Sequence, residues 1–297
     1  MRTEDGSAGS QAFKQLMLNE TMLQPSPGYV PRLGKEALKK RASLMQWIME
    51  VCESFSMGHV SHGCVLNYLE RAIEHTKVPG GVPLLAVAAV LIGSKFCEID
   101  PVCLEQLQQC VPNFTCDEIR KVERDVLQVL NWQLNVVTTH HFVNVLLQLV
   151  PDRPEGVKLR VRKHVELLVD LTMLDVAFIG HKRSMIAVAS MLSALELCNA
   201  PLPEMSRYTT LVTETVEDEE NLMDTCTRLK KTLDRYFPRT GVVGGRLSPQ
   251  NVVQAAKPEC AQEAKVEADA LPEPATFHFH CTRTGISLKS PSFLSSS

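Results

Sequence analysis

Leu84 to Ile92 reads LLAVAAVLI, an unbroken apolar run, and a near copy, IAVASML at Ile186–Leu192, returns 101 residues after its counterpart Leu85–Leu91. A helix that is apolar on every face is stable only at the centre of a bundle. Two such helices, each with small Ala positions that let neighbours come close, predict two bundles built on one plan.

The flanking periodicity agrees. Leu44, Trp47, Ile48, Val51 and Phe55 follow i, i+3, i+4, i+7 spacing, and Val65, Leu66, Leu69, Ala72 and Ile73 make a second stripe. KVPGGVP is a loop, and Pro83 suits the first turn of the helix that follows it. A short helix is expected near Leu104–Val111, then a capping box in Thr115-Cys-Asp-Glu118 opens a helix running to about Asn131. The order repeats with stripes near His141–Leu149, Val157–Met173, Ser184–Leu197, Met205–Thr213 and Glu217–Tyr236. The expectation is an all-α chain of two tandem five-helix units, residues 38–135 and 136–237. Residues 1–37 hold one short amphipathic helix around Phe13, Leu16, Met17 and Met22. Residues 238–297, rich in Pro, Gly, Glu, Ala and Ser, are expected to be disordered, because so little apolar surface cannot offset the entropy of ordering.

Composition narrows the function. An aromatic share of 5% suits helices packed through Leu, Val and Ala. A net charge of −3 leaves no global basic field for nucleic acid. The apolar runs fall short of the roughly 18–20 residues of a membrane span, and MRTEDGSAGSQAF carries no signal-peptide apolar region, so a soluble intracellular protein is expected. The ten cysteines include no C-x-x-C pair, which argues for reduced core thiols rather than a zinc ribbon or redox site. No cofactor is implied. His140-His141 and Cys116 are the candidates for enzyme chemistry, but no orienting acid stands at suitable spacing, so a non-catalytic protein is expected.

Two charges break the pattern. At about 100° per residue, Lys95 falls within about 40° of Leu84, Ala88 and Leu91, with Ile92 alongside. Glu123 falls within the stripe of Ile119, Val122, Val126, Leu127 and Leu130. An uncompensated charge in an apolar setting costs several kcal/mol. The two side chains therefore either satisfy one another, reach solvent at helix ends, or face a partner.

KKRASLMQWIMEVCESF (39–55), VLNYLERAIE (65–74), LIGSKFCEI (91–99) and VERDVLQVLNWQL (122–134) together resemble the N-terminal cyclin box. The second half, with TTHHFVNVLL (138–147) and RKHVELLVDLTMLDVAFIGHKRSMIAVAS (162–190), is similar to D-type cyclins of the G1/S transition. The resemblance covers roughly residues 10–237. It implies a regulatory subunit that binds and activates a cyclin-dependent kinase, in nucleus and cytoplasm. It assigns Lys95 and Glu123 to the kinase backbone beside the regulatory helix of the small lobe, with Phe96, Ile92, Leu127, Trp132 and Leu134 packing on that helix. It also implies a docking patch for Arg-x-Leu substrates or inhibitors on Leu44, Trp47 and Glu50. Lys40, Ser43 and Pro83 depart from the family pattern there, Cys97 stands where many cyclins have Glu, and the Leu-x-Cys-x-Glu segment of D-type cyclins is missing. Ser248 and Ser290, each before proline, are candidate phosphorylation sites, and no threonine stands before a proline in the tail. At the 101-residue offset Lys95 maps to Glu196 and Glu123 to Asp224, so the second unit is expected to lack the pair. The alternative is a cyclin-fold scaffold or transcription-related adaptor that activates no kinase.

Overall fold

The computed structural model describes residues 4–25, 28, 35–75, 81–148, 155–198, 219–237, 278–280 and 287–289. Its helices are α1 (Glu4–Asn19), α2 (Lys35–Ser54), α3 (His59–His75), α4 (Gly81–Cys97), α5 (Leu104–Gln109), α6 (Cys116–Val129), α7 (Thr139–Gln148), α8 (Glu155–Leu174), α9 (Arg183–Leu197) and, here numbered α10, Glu219–Tyr236. A 3-10 turn, Val176–Phe178, links α8 to α9. The expected helix over 205–213 lies outside the described residues. So does most of 238–297, apart from a ribbon in which His278–His280 pairs antiparallel with Ser287–Lys289. No helix among the described residues is long and apolar enough to cross a membrane.

The two apolar helices are the two centres. Leu84 through Ser94 of α4 are all buried, and α4 packs chiefly on α3 and α6. In the second unit α9 is buried from Ser184 to Met191 and packs on α7, α8 and α10. Gly93 marks a close approach of α4 to α3: a Cβ there would lie 2.4 Å from Val65 Cγ2. Ser94, polar yet fully buried, is satisfied because its Oγ accepts from Val102 N–H at 2.5 Å. Just beyond α4, Glu98 Oε1 accepts from Gly58 N–H at 2.7 Å and Ser61 Oγ at 2.5 Å, which fixes the first turn of α3.

The units are joined by more than their linker. From α1, Phe13 is buried edge-on against Phe142 of α7, ring centroids 5.0 Å apart. At the end of α1, buried Glu20 accepts from Ser184 N–H at 2.8 Å and Ser184 Oγ at 2.9 Å, at the start of α9. Arg41 of α2 pairs with Glu70 of α3 and donates from Nη1 to the carbonyls of Met173 (3.3 Å) and Leu174 (3.4 Å), which end α8. That places a cation where the carbonyl end of a helix favours one.

Candidate interaction face

Helix α6 starts as its sequence dictates. Thr115 Oγ1 accepts from Glu118 N–H at 3.2 Å, and the Glu118 carboxylate accepts from Thr115 N–H at 2.7 Å. The bonds that the carboxylate accepts from the Thr115 N–H and, at 2.8 Å, from the Thr115 hydroxyl hold the carboxyl of Glu118 below the usual range. With the start fixed, Ile119, Val122, Val126 and Leu127 turn inward, and Glu123 is carried with them. Helix α4 leaves the core one residue after Ser94. Lys95 Nζ donates to Glu123 Oε1 at 2.7 Å, with the lysine side chain 50% exposed and the glutamate 12%.

The two charges thus meet one another at the edge of the core. With Lys95 half in water, the pair stabilises the fold by no more than about 1 kcal/mol. Its recognition capacity is larger: an ammonium has three donors and a carboxylate about four acceptor sites, and the bond between them occupies one of each.

The surrounding residues divide into two layers. Phe96, at the end of α4, Ile99 just past it, and Trp132 just past α6 are exposed large apolar side chains, Trp132 at 69%. Ile92, Leu127 and Leu134 are buried, so they offer a partner little surface as the chain stands. Asn131 and Trp132 both take left-handed backbone, φ 51° and 59°. For a bulky aromatic that conformation is an outlier, and strain of this kind persists only when the surroundings impose it. They do: Tyr68 Oη donates to Leu134 O at 2.6 Å, and Arg71 Nη1 donates to Gln133 O at 3.0 Å. The sequence placed Trp132 at this face through family resemblance; the strain that presents it has no sequence signal.

Other expected sites fare differently. Leu44 and Trp47 are 3% and 1% exposed, part of the core, so the expected floor of an Arg-x-Leu groove is not open to solvent. Glu50 is half-buried and accepts from Gln46 Nε2 at 3.0 Å. Ser248 and Ser290 lie outside the described residues. Cys116 opens α6, while His140 and His141 lie at the start of α7. An acid does stand by His140 after all: Asp170 of α8 has its Oδ1 3.9 Å from His140 Nε2, a neighbour that spacing along the chain hid. In the second unit, Glu196 of α9 pairs with Lys230 of α10 at 2.7 Å, so a central-helix to last-helix ion pair recurs with its charges exchanged. Asp224 pairs within α10, with Arg228.

Comparison with known proteins decides the family. Residues 11–135 match the family "Cyclin, N-terminal domain" and residues 137–240 match "Cyclin, C-terminal domain". The chain belongs to the cyclin family. Curated cyclins similar to it include human G1/S-specific cyclin-D1, 28% identical over 196 residues, covering 65% of this chain and 66% of the relative. Zebrafish G1/S-specific cyclin-D1 is 31% identical, over 61% and 66% of the two chains, and rice Cyclin-A1-4 is 29% identical, over 61% and 52%. The match thus spans about two-thirds of the cyclin-D1 relatives' length. Among solved structures, a viral cyclin from herpesvirus saimiri shares the fold with a TM-score of 0.64 at 18% identity, over 75% of this chain and 96% of that one. A chain of the CAK complex from Chaetomium thermophilum bound to ATP-gamma-S does so at 0.52 and 12% identity, over 86% and 76%. The resemblance to D-type cyclins and the all-α double-box fold expected from sequence both stand.

Proposed function

We propose that this cyclin is the regulatory, non-catalytic subunit of a cyclin-dependent serine/threonine kinase, of the D type that acts at G1/S. The carrying observation is the face at the α4–α6 junction: a Lys95–Glu123 ion pair with spare hydrogen-bonding capacity, beside exposed Phe96, Ile99 and Trp132. Apolar residues offer area to a helix, while the charged pair offers a donor and an acceptor to backbone at its end. The names of its cyclin-D1 relatives support the G1/S assignment.

Activation follows from differential binding. A kinase helix that meets this face only when turned inward gains contacts in that state alone, which moves its equilibrium towards activity. A difference of about 3 kcal/mol moves it roughly 150-fold. The cyclin then supplies no group to phosphoryl transfer; it stabilises the arrangement in which the kinase's own residues act.

The test is capture from cell extract on the full chain, with protein-kinase activity measured on the eluate. A serine/threonine kinase recovered in active form supports the reading. A kinase bound but inactive, or no kinase on folded protein, leaves the scaffold alternative.

A further inference from the structure

Between the two boxes lies a group of side chains with no role in the face described above. We infer that this chain holds a divalent transition-metal ion of the zinc class between its boxes, on His59 and His62 of α3 and Asp170 of α8.

The geometry comes first. His59 and His62 are three apart in the first turn of α3 and share a face. One ligand atom from each of His59, His62 and Asp170 lies within 4.8 Å of the others. Tetrahedral zinc with bonds of about 2.0–2.1 Å spaces its ligand atoms roughly 3.4 Å apart, so small side-chain rotations close the site. Asp170 and His62 are both buried, and His59 is partly exposed, which gives an ion a way in.

The second observation is the set of orphaned polar atoms. His59 Nδ1, both nitrogens of His62, both nitrogens of His140 and Asp170 Oδ1 are buried without a hydrogen-bond partner. Buried polar atoms are satisfied in nearly all native structures. A cluster of them from three helices, converging on a carboxylate, has the chemistry of a ligand set. Two imidazoles and one carboxylate are the donors that zinc accepts, while calcium and magnesium need oxygen cages.

The surroundings match what orients metal-bound histidine. His59 Nδ1 faces Asp170 Oδ2 at 3.8 Å, while its Nε2 faces Glu166 Oε2 at 3.7 Å. If Nδ1 takes the ion, the Nε2–H is directed at a carboxylate, the usual arrangement behind a ligating imidazole. Glu166 is itself steadied by Arg162 Nη1, 3.7 Å from its Oε1. Asp170 Oδ1 faces His140 Nε2, and the His140 ring stacks on His59 with centroids 5.2 Å apart. Glu166 and His140 are therefore positioning residues. Since α3 belongs to one box and α8 to the other, the ion ties the boxes together.

The test uses the full chain, stripped with EDTA and titrated with Co2+ and then Zn2+. The ten cysteines make the spectrum decisive: thiolate ligands give Co2+ an intense near-ultraviolet band, and imidazole and carboxylate do not. Expected are one equivalent of Co2+ with a tetrahedral visible band and no thiolate band, displacement by Zn2+, and a higher unfolding temperature with Zn2+. His62→Gln and Asp170→Asn should remove that equivalent. Glu166→Gln should weaken Co2+ binding about tenfold or more and alter the visible spectrum. No saturable uptake by the native chain, a thiolate spectrum, or uptake unchanged in all three variants overturns the inference.

Discussion

Gly93 gives a stability prediction whose sign runs against helix propensity. In an exposed helix, Gly→Ala gains about 1 kcal/mol. Gly93 is buried in α4, and the added Cβ would lie 2.4 Å from Val65 Cγ2 and 3.6 Å from Val65 Cβ. No carbon pair tolerates 2.4 Å, and Val65 cannot swing away, because a valine in a helix is held to one χ1 rotamer about 90% of the time. The two helices must then separate, and overpacking of this kind costs about 1–3 kcal/mol. Set against the propensity gain, Gly93→Ala should destabilise by up to about 2 kcal/mol. Val65→Ala alone removes two methyls and leaves a cavity; in the double variant the methyl added at position 93 fills part of that space, so the double variant should be less destabilised than the sum of the singles by at least about 0.5 kcal/mol. Urea unfolding of the four proteins measures the cycle. Because Lys95 and Phe96 follow Gly93 by two and three residues, Gly93→Ala should also weaken kinase capture. A Gly93→Ala protein more stable than the native one, or additive effects in the cycle, would refute the close α3–α4 packing.

Three further outcomes follow from particular contacts. Glu20→Ala leaves buried Ser184 N–H and Oγ without acceptors, a loss of about 1–3 kcal/mol, and limited proteolysis should then release α1 sooner. Trp132→Gly relieves a left-handed aromatic whose strain costs about 1–3 kcal/mol, so thermal unfolding should show unchanged or higher stability while kinase capture falls. Burial pushes the Cys226 thiol up to about 11, so at pH 7 iodoacetamide should label it more slowly than exposed Cys103, as read by mass spectrometry of timed digests.

Much of this fold was legible because periodicity and caps are local signals. The run from Leu84 to Ile92 fixed α4 at the centre of its unit, and Thr115–Glu118 fixed the start of α6. Lys95 and Glu123 were visible as charges out of place. That they bond to each other was one of the open arrangements, and only the crossing of α4 and α6 selects it. What the sequence hid depends on contacts between distant segments. Phe13 reads as one residue of a short amphipathic helix, and nothing near it records Phe142. Leu44 and Trp47 look the same in sequence whether they line a groove or fill a core. The group of His59, His62, His140 and Asp170 is scattered over three helices, so no spacing rule could collect it.

The central claim is that Lys95 and Glu123 serve a kinase and not merely the fold. The most direct measurement is the kinase affinity of the exchanged protein, Lys95→Glu with Glu123→Lys, beside the Lys95→Ala/Glu123→Ala variant. Exchange preserves an ion pair between α4 and α6, as the reversed pair Glu196–Lys230 does in the second unit, but inverts the donor and acceptor offered outward. Both variants should unfold within about 1 kcal/mol of the native chain, and both should lose kinase binding and activation. An exchanged protein that binds and activates as the native one does would make the pair a structural strut and contradict the account.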